Sequence, residues 1–255
     1  MRVLLTNDDG IYAPGLLALK NALSAIAEVH VIAPMAEQSA VGHSITLHRP
    51  LRVIQIDRDG ELFGYGVNGA PADCVKLALC ELLGERPDLV VSGINLGANV
   101  GINVLYSGTV AAAIEGAMSG IPSLAASIEM GDRPQFEPAA GIVTRLIQRM
   151  PLEPLRQRVI LNVNIPAIPA DEIKGVRITR QSTRFPEEAF DQRTDPRGRK
   201  YYWITADFES MTVEEGTDFH ALREGCVSVT PLHFDMTSHA LLPDLQGWDL
   251  GDDIV

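Results

Sequence analysis

The sequence predicts an α/β fold: a three-layer, mostly parallel Rossmann-like sheet with helices on both faces, plus a projecting β-hairpin and a C-terminal extension. Two observations predict it. Short apolar runs of strand length alternate with longer stretches whose apolar residues recur at three- and four-residue steps, with Gly, Pro, Asn and Asp at the joints. Strands joined by helical crossovers lie parallel and are covered on both faces. The chain has 255 residues, 46% hydrophobic and 21% charged, enough to bury a core without a covalent staple.

Taken in order, Val3 to Thr6 is a buried strand ended by Asn7-Asp8-Asp9-Gly10. Pro14-Gly15 opens a helix in which Leu16, Leu19, Leu23 and Ile26 share a face. Val29 to Ala33 is the next strand, stopped by Pro34, and a loop follows with Glu37-Gln38-Ser39 and Gly42-His43-Ser44. Leu62 to Val67 is strand-like, and Pro71 precedes a helix carrying Cys74, Val75, Leu77, Ala78 and Leu82. Leu89 to Ser92 is a buried strand, with a Gly- and Asn-rich loop beginning at Gly93. Ser107-Gly108-Thr109 leads into an alanine-rich helix ending near Met118, where Gly120 and Pro122 stop it. Leu124 to Ser127 is a strand, Ala139 to Met150 a helix, and Val159 to Val163 a strand.

The last third changes character. Asp195-Pro196-Arg197-Gly198 is a turn, and Lys200 to Ile204 is a strand too aromatic for open water. Either the hairpin projects and another subunit covers its aromatic arm, or it folds back on its own core. Gly225 to Leu232 is a final strand, and Pro243 onward an acidic tail of helical pattern. The whole reads as one domain over 1–255, with a core at 1–180, a hairpin at 184–209 and a C-terminal strand and tail at 222–255.

A formal net charge of −12 argues against a nucleic-acid polymer or an anionic membrane as partner, since either needs clustered Lys and Arg. A small phosphate ester stays open. The apolar run at the N-terminus is too short for a signal peptide or a membrane span, so the cytoplasm is the expected compartment. The 3 cysteines form no Cys-x-x-Cys pair and read as small buried hydrophobes in a reducing compartment.

Asp8 and Asp9 carry the chemistry. They stand beyond the carboxyl end of the first strand, where open parallel sheets bind ligands. Two adjacent anions call for a cation or a shared proton, and hard divalent ions suit oxygen ligands. A solvated Asx-type turn explains the tetrapeptide alone equally well. Beyond another strand end stands Ser92-Gly93-Ile94-Asn95-Leu96-Gly97-Ala98-Asn99-Val100-Gly101, where Asn95 offers an oxygen to a metal or an amide to a phosphate. Ser107, Gly108 and Thr109 open a helix whose free N–H groups suit phosphate. Three such features on one rim favour a metal and a phosphate.

The run Leu4-Leu5-Thr6-Asn7-Asp8-Asp9-Gly10-Ile11, the pairs Ala33-Pro34 and Gln38-Ser39, and the Ser92 to Gly101 loop with Tyr106-Ser107-Gly108-Thr109-Val110 resemble the SurE family. So do Pro71-Ala72-Asp73-Cys74 and Ser228-Val229-Thr230-Pro231-Leu232. The resemblance covers nearly the whole chain. It implies a metal-dependent nucleotidase that releases phosphate from nucleoside monophosphates, a 5′-nucleotidase with 3′-nucleotidase and exopolyphosphatase activity in some members. Carried over, the metal ligands fall on Asp8, Asp9, Ser39 and Asn95, with Asp8, Asp9 and Asn95 catalytic. The phosphate positions fall on Asn95, Ser107, Gly108 and Thr109. One divalent ion per subunit is implied, Mg²⁺ or Mn²⁺, with Ca²⁺ as a structural occupant, and a homodimer or homotetramer built through the hairpin and C-terminal segment. Ala111 departs from the family, which carries glycine there.

His43, Asn99 and His239, the last within Asp235-Met236-Thr237-Ser238-His239, are supporting candidates; for both histidines a structural role competes. A dinucleotide-binding oxidoreductase would need Gly-x-Gly-x-x-Gly after the first strand. A phosphoreceiver would want an Asp where Asn95 stands, and a haloacid-dehalogenase-type phosphatase Asp-x-Asp. The non-enzymatic alternative is a metal- and nucleotide-binding regulator with little turnover.

Overall fold

The computed structural model describes residues 1–131, 134–184, 187–207 and 212–248, with backbone alone at 187, 188, 206 and 207. Its elements in chain order are β1 (Arg2–Thr6), α1 (Pro14–Leu23), β2 (Glu28–Pro34), β3 (Val53–Arg58), β4 (Glu61–Val67), α2 (Pro71–Leu77), β5 (Leu89–Leu96), α3 (Gly108–Met118) and β6 (Ser123–Ile128). There follow α4 (Phe136–Arg149), β7 (Val159–Ile165), β8 (Val176–Ile178), β9 (Glu187–Thr194), β10 (Lys200–Asp207), α5 (Asp218–Arg223), β11 (Val227–His233) and α6 (Leu242–Gln246).

A 9-stranded sheet runs β3-β4-β2-β1-β5-β6-β7-β11-β8. The stretch from β4 to β7 is parallel throughout. β3 and β11 join it antiparallel to β4 and β7. From β1 the chain first builds outward to β2, then returns to lay β5 on the other side. That reversal leaves a crevice between the carboxyl ends of β1 and β5, where ligands bind in doubly wound sheets.

Side-chain alternation splits the core into two layers. Val3 and Leu5 face α1 and α4, joining Leu16, Leu19, Val143 and Ile147, whereas Leu4 faces α2 with Cys74, Val75 and Ala78. Further along, α3 packs Val110, Ala113 and Ala117 on Ala125 and Ile160. α1 starts at Ala13 without a side-chain cap and carries Pro14 at its first position. Its stability therefore comes from burying Leu16, Leu19 and Leu23, about 1.5–3 kcal/mol each. Ile26 lies past the helix end, where a tight turn returns Ile26 and Ala27 N–H to Leu23 O; it still packs on the same core.

Three departures from the sequence reading bear on the site or its edges. β5 does not stop at Ser92 but continues through Asn95 to Leu96. Gly93 permits this: at φ +138° it passes so close to β6 that a Cβ would lie 2.3 Å from Ala126 O, and pairing resumes at Asn95 with Ser127. β3, absent from the sequence reading, is a mostly exposed edge strand; its signal was Asp59-Gly60, both at positive φ in the two-residue turn to β4. Cys80 is exposed rather than buried, because it lies past the end of α2 in a wider π-helical turn, Ala78–Leu82, of which only Ala78 is buried.

β9 and β10 form a sheet of their own, paired from Lys200 with Thr194 to Asp207 with Glu187. The hairpin does not fold back: Phe190, Tyr202, Trp203 and Ile204 are all exposed. Its expected ends at 185–186 and 208–209, and the tail at 249–255, lie outside the described residues. Among the described residues no helix is long and apolar enough to cross a membrane.

Candidate active site

The turn after β1 is built into the protein rather than solvated. Asn7 is fully buried and its Nδ2 donates to Gly10 O at 2.9 Å, closing the turn. Ile11 N–H donates to Pro34 O and Gln38 N–H to Asp8 O, both at 2.8 Å, fastening it to the exit of β2. Asp8 is consequently only 6% exposed.

α3 meets that carboxylate end-on. Thr109 N–H donates to Asp8 Oδ2 at 2.9 Å, and the Thr109 hydroxyl donates to Oδ1. The positive end of the helix favours the anion. Gly108 makes the approach possible, since a Cβ there would lie 2.9 Å from Asp8 Cβ and 3.1 Å from Oδ2. Burial nonetheless raises the Asp8 carboxyl above its usual range, outweighing the Thr109 bonds. Asp9 is pushed up to about 6, first by burial and then by the Asp8 charge, against a bond from Leu96 N–H at 3.3 Å.

Asn95 is half-buried; its Nδ2 donates to Gly97 O at 2.6 Å, which turns Oδ1 free for another partner. Ser39 is exposed and its hydroxyl donates to Glu37, whose negative charge raises both Asp8 and Asp9. Ser107 caps α3 by accepting from Val110 N–H at 3.1 Å, and keeps its own proton to donate. Thus Ser107 and Gly108 stand where the sequence placed a phosphate cradle, while both Thr109 donors serve Asp8.

The donor set fits a hard divalent ion. Among the described residues none of the ion pairs reaches Asp8, Asp9 or Glu37. Two adjacent acids held above their ordinary range gain most from a cation. Asn7 Oδ1, buried beside them, has no hydrogen-bond partner among the described residues. Among the described residues no three His, Cys, Asp or Glu side chains gather as a metal centre. Two carboxylates, with the neutral oxygens of Asn95 and Ser39 on neighbouring segments, offer oxygen donors that suit a hard divalent ion better than a sulfur or imidazole site would.

The supporting candidates part company. Asn99 is buried and central: its N–H donates to Asn164 Oδ1 at 2.7 Å, its Nδ2 to Ser127 Oγ at 2.9 Å, and its carbonyl accepts from Asn162 and Asn164. It fixes the loop between Asn95 and Ser107 onto β6 and β7. His43 bonds Glu115 at 2.9 Å. His239 is exposed and bonds Asp235, four residues earlier, at 2.7 Å, so its partner is on its own turn and not in the site. Sequence reasoning missed Glu37, Glu115 and Asp218. Asp218, fully buried, accepts from Gly101 N–H at 2.8 Å and Ser182 N–H at 3.0 Å, and no local pattern announces so distant a contact. Glu115 left a trace, as a lone acid inside an alanine-rich helix.

A family model described as "Survival protein SurE" matches residues 3–188. The chain belongs to the SurE family. A SurE relative from Syntrophobacter fumaroxidans, described as "5'-nucleotidase SurE", is 49% identical over 250 residues, 98% of this chain and 100% of that protein. One of the same description from Heliobacterium modesticaldum is 46% identical, over 97% of this chain and 92% of that one. The crystal structure of the SurE protein from Aquifex aeolicus superposes with a TM-score of 0.83 at 41% identity, covering 96% of this chain and 98% of that one.

Proposed function

We propose that this chain is a metal-dependent 5′-nucleotidase that releases phosphate from nucleoside monophosphates. The observation that carries the reading is the pair of adjacent carboxylates at the β1–β5 crevice, Asp8 buried and Asp9 partly so, both held above their ordinary range and faced by the start of α3. The description shared by the relatives supports the same substrate class. Asp8, Asp9, Ser39 and Asn95 hold one divalent ion, Mg²⁺ or Mn²⁺. When bound, that ion polarises the phosphoryl group and makes water a stronger acid.

The chain's own residues do the rest. Ser107 and the opening turn of α3 present a hydroxyl, amide groups and a positive dipole toward the equatorial phosphoryl oxygens. Asn95 orients the same group from β5. Asp8 has both oxygens engaged by Thr109, so its role is to hold. Asp9 has the lone pair to spare and takes the proton of the attacking water. Nucleoside 3′-monophosphates and polyphosphate are further substrates to assay. The exposed aromatic face of the hairpin supports a homodimer or homotetramer in which a second copy covers it. The net charge of −12 supports a protein without nucleic-acid or anionic-membrane partners, and the free cysteines support a reducing compartment such as the cytoplasm.

The test is phosphate release from nucleoside 5′-monophosphates with added Mn²⁺ or Mg²⁺, with and without a chelator. Asp9→Ala abolishes it on this reading. Full metal-dependent turnover by that variant sinks the assignment, and binding of nucleotide without phosphate release favours the regulator instead.

A further inference from the structure

Among the buried acids that the mechanism does not use, Glu115 stands on the helix that grips Asp8. Glu115 is only 4% exposed and lies six residues beyond Thr109 on α3. One of its oxygens accepts from Lys76 Nζ on α2 at 2.7 Å; the other meets His43 Nε2 at 2.9 Å. Burial works against its charge, yet the His43 and Lys76 bonds outweigh it and hold the carboxyl below its usual range. Glu115 is therefore an anion at neutral pH with two fixed partners, one of them on the loop that carries Ser39.

That loop needs holding. Ala40, the residue after Ser39, sits at φ +53°, a conformation costing a residue with a Cβ about 1–2 kcal/mol. The following stretch is fastened by Gly42 N–H to Tyr106 O at 2.9 Å and by Thr46 N–H to the buried Asp73 carboxylate at 3.0 Å. Between those two backbone anchors, His43 supplies the side-chain anchor among the described residues. It ends on the same helix whose first turn grips Asp8.

We propose that His43, through Glu115, is a positioning residue that sets where Ser39 stands relative to Asp8, and so sets the metal affinity of the site. The inference rests on Ser39 being a metal ligand. α3 is the common reference: Thr109 places Asp8 from its start, and Glu115 places the Ser39 loop from its middle. Lys76 keeps Glu115 charged and oriented while His43 bridges to the loop.

The experiment uses the full chain with Mn²⁺ alone as probe. Mn²⁺ binding is measured by calorimetry for wild type, Ser39→Ala, His43→Ala, His43→Gln and the Ser39→Ala/His43→Ala double variant. Amide hydrogen exchange at Gln38 and Gly42 is followed in the metal-free protein. Removing an outer-shell partner weakens metal binding about tenfold. His43→Ala is expected to show that loss and Ser39→Ala a comparable one. The double variant is expected to bind no worse than Ser39→Ala, because residues acting through one another do not add. His43→Gln, whose amide can still donate to Glu115, retains most of the affinity, and exchange at Gln38 and Gly42 quickens in His43→Ala alone.

Two results overturn the proposal: wild-type Mn²⁺ affinity in His43→Ala while Ser39→Ala is weakened, or losses that multiply in the double variant. If Ser39→Ala leaves Mn²⁺ binding untouched, the ligand role of Ser39 falls instead. Exchange then decides the clamp by itself: faster in His43→Ala but not in His43→Gln supports it, and no change refutes it.

Discussion

Replacing Thr109 by valine exchanges a hydroxyl for a methyl group on a fully buried side chain of nearly unchanged shape. The hydroxyl bond to Asp8 Oδ1 disappears, while the Thr109 N–H bond to Oδ2 at 2.9 Å stays. A hydrogen bond to a charged group contributes about 1.5–3 kcal/mol. If that energy holds Asp8 in its working orientation, its loss lowers kcat/KM by about 10- to 100-fold, at about 1.4 kcal/mol per decade. The assay is phosphate release from a nucleoside 5′-monophosphate over a range of Mn²⁺ and substrate concentrations. Since Thr109 serves Asp8, Mn²⁺ affinity falls along with kcat. Thr109→Ser keeps the hydroxyl and restores both, losing only the burial of one methyl group. A phosphate-binding Thr109 behaves differently, raising KM for the nucleotide with Mn²⁺ affinity unchanged. That pattern, or a serine variant as impaired as the valine one, refutes the positioning role.

Other substitutions probe the same frame. Gly108→Ala places a Cβ 2.9 Å from Asp8 Cβ, so the carboxylate must shift by several tenths of an ångström; turnover is expected to drop at least tenfold, roughly the penalty for displacing a reacting group, with circular dichroism unchanged. Ala40→Gly relieves a left-handed residue at φ +53°, worth about 1 kcal/mol and about 2–4 °C of melting temperature for a chain this long; an unchanged melting temperature counts against strain there. For Asp9 the folded-state value of about 6 stands above the ordinary 3.8, so the native protein binds the proton more tightly than the unfolded chain. Its contribution to stability is complete below the unfolded value and is lost as pH rises through the folded one. In chelator, the melting temperature of wild type relative to Asp9→Asn is thus expected to fall between pH 4 and pH 6; a flat difference across that window contradicts the raised value.

Much of this was legible because two periodicities carry fold-level information. Alternation in Val3, Leu4 and Leu5 and the three- and four-residue steps of Leu16, Leu19 and Leu23 fix strand, helix and buried face together. Asp8 and Asp9 were legible as candidate site residues because their strand-end position has meaning in any doubly wound sheet. What stayed hidden depends on closeness between segments far apart in the chain. Glycine in the sequence is read as a break, yet Gly93 keeps β5 running because β6 leaves no room for a side chain. Thr109 looked like a phosphate donor at a helix start, and only the packing of α3 against the β1 turn reveals Asp8 as its acceptor. β8, with 3 residues, and α5, with 6, are too short for any period to register.

The alignment of α3 has a consequence for motion. Its first turn bonds Asp8, and Glu115 further along bonds the Ser39 loop. A displacement of the whole helix is thus common to the Asp8 turn and the Ser39 loop and cancels in the distance between them. Only bending or twisting within α3 is felt as a differential motion. The centre proposed above, assembled from three distant chain segments, would in this way keep its internal spacing while the layers around it breathe.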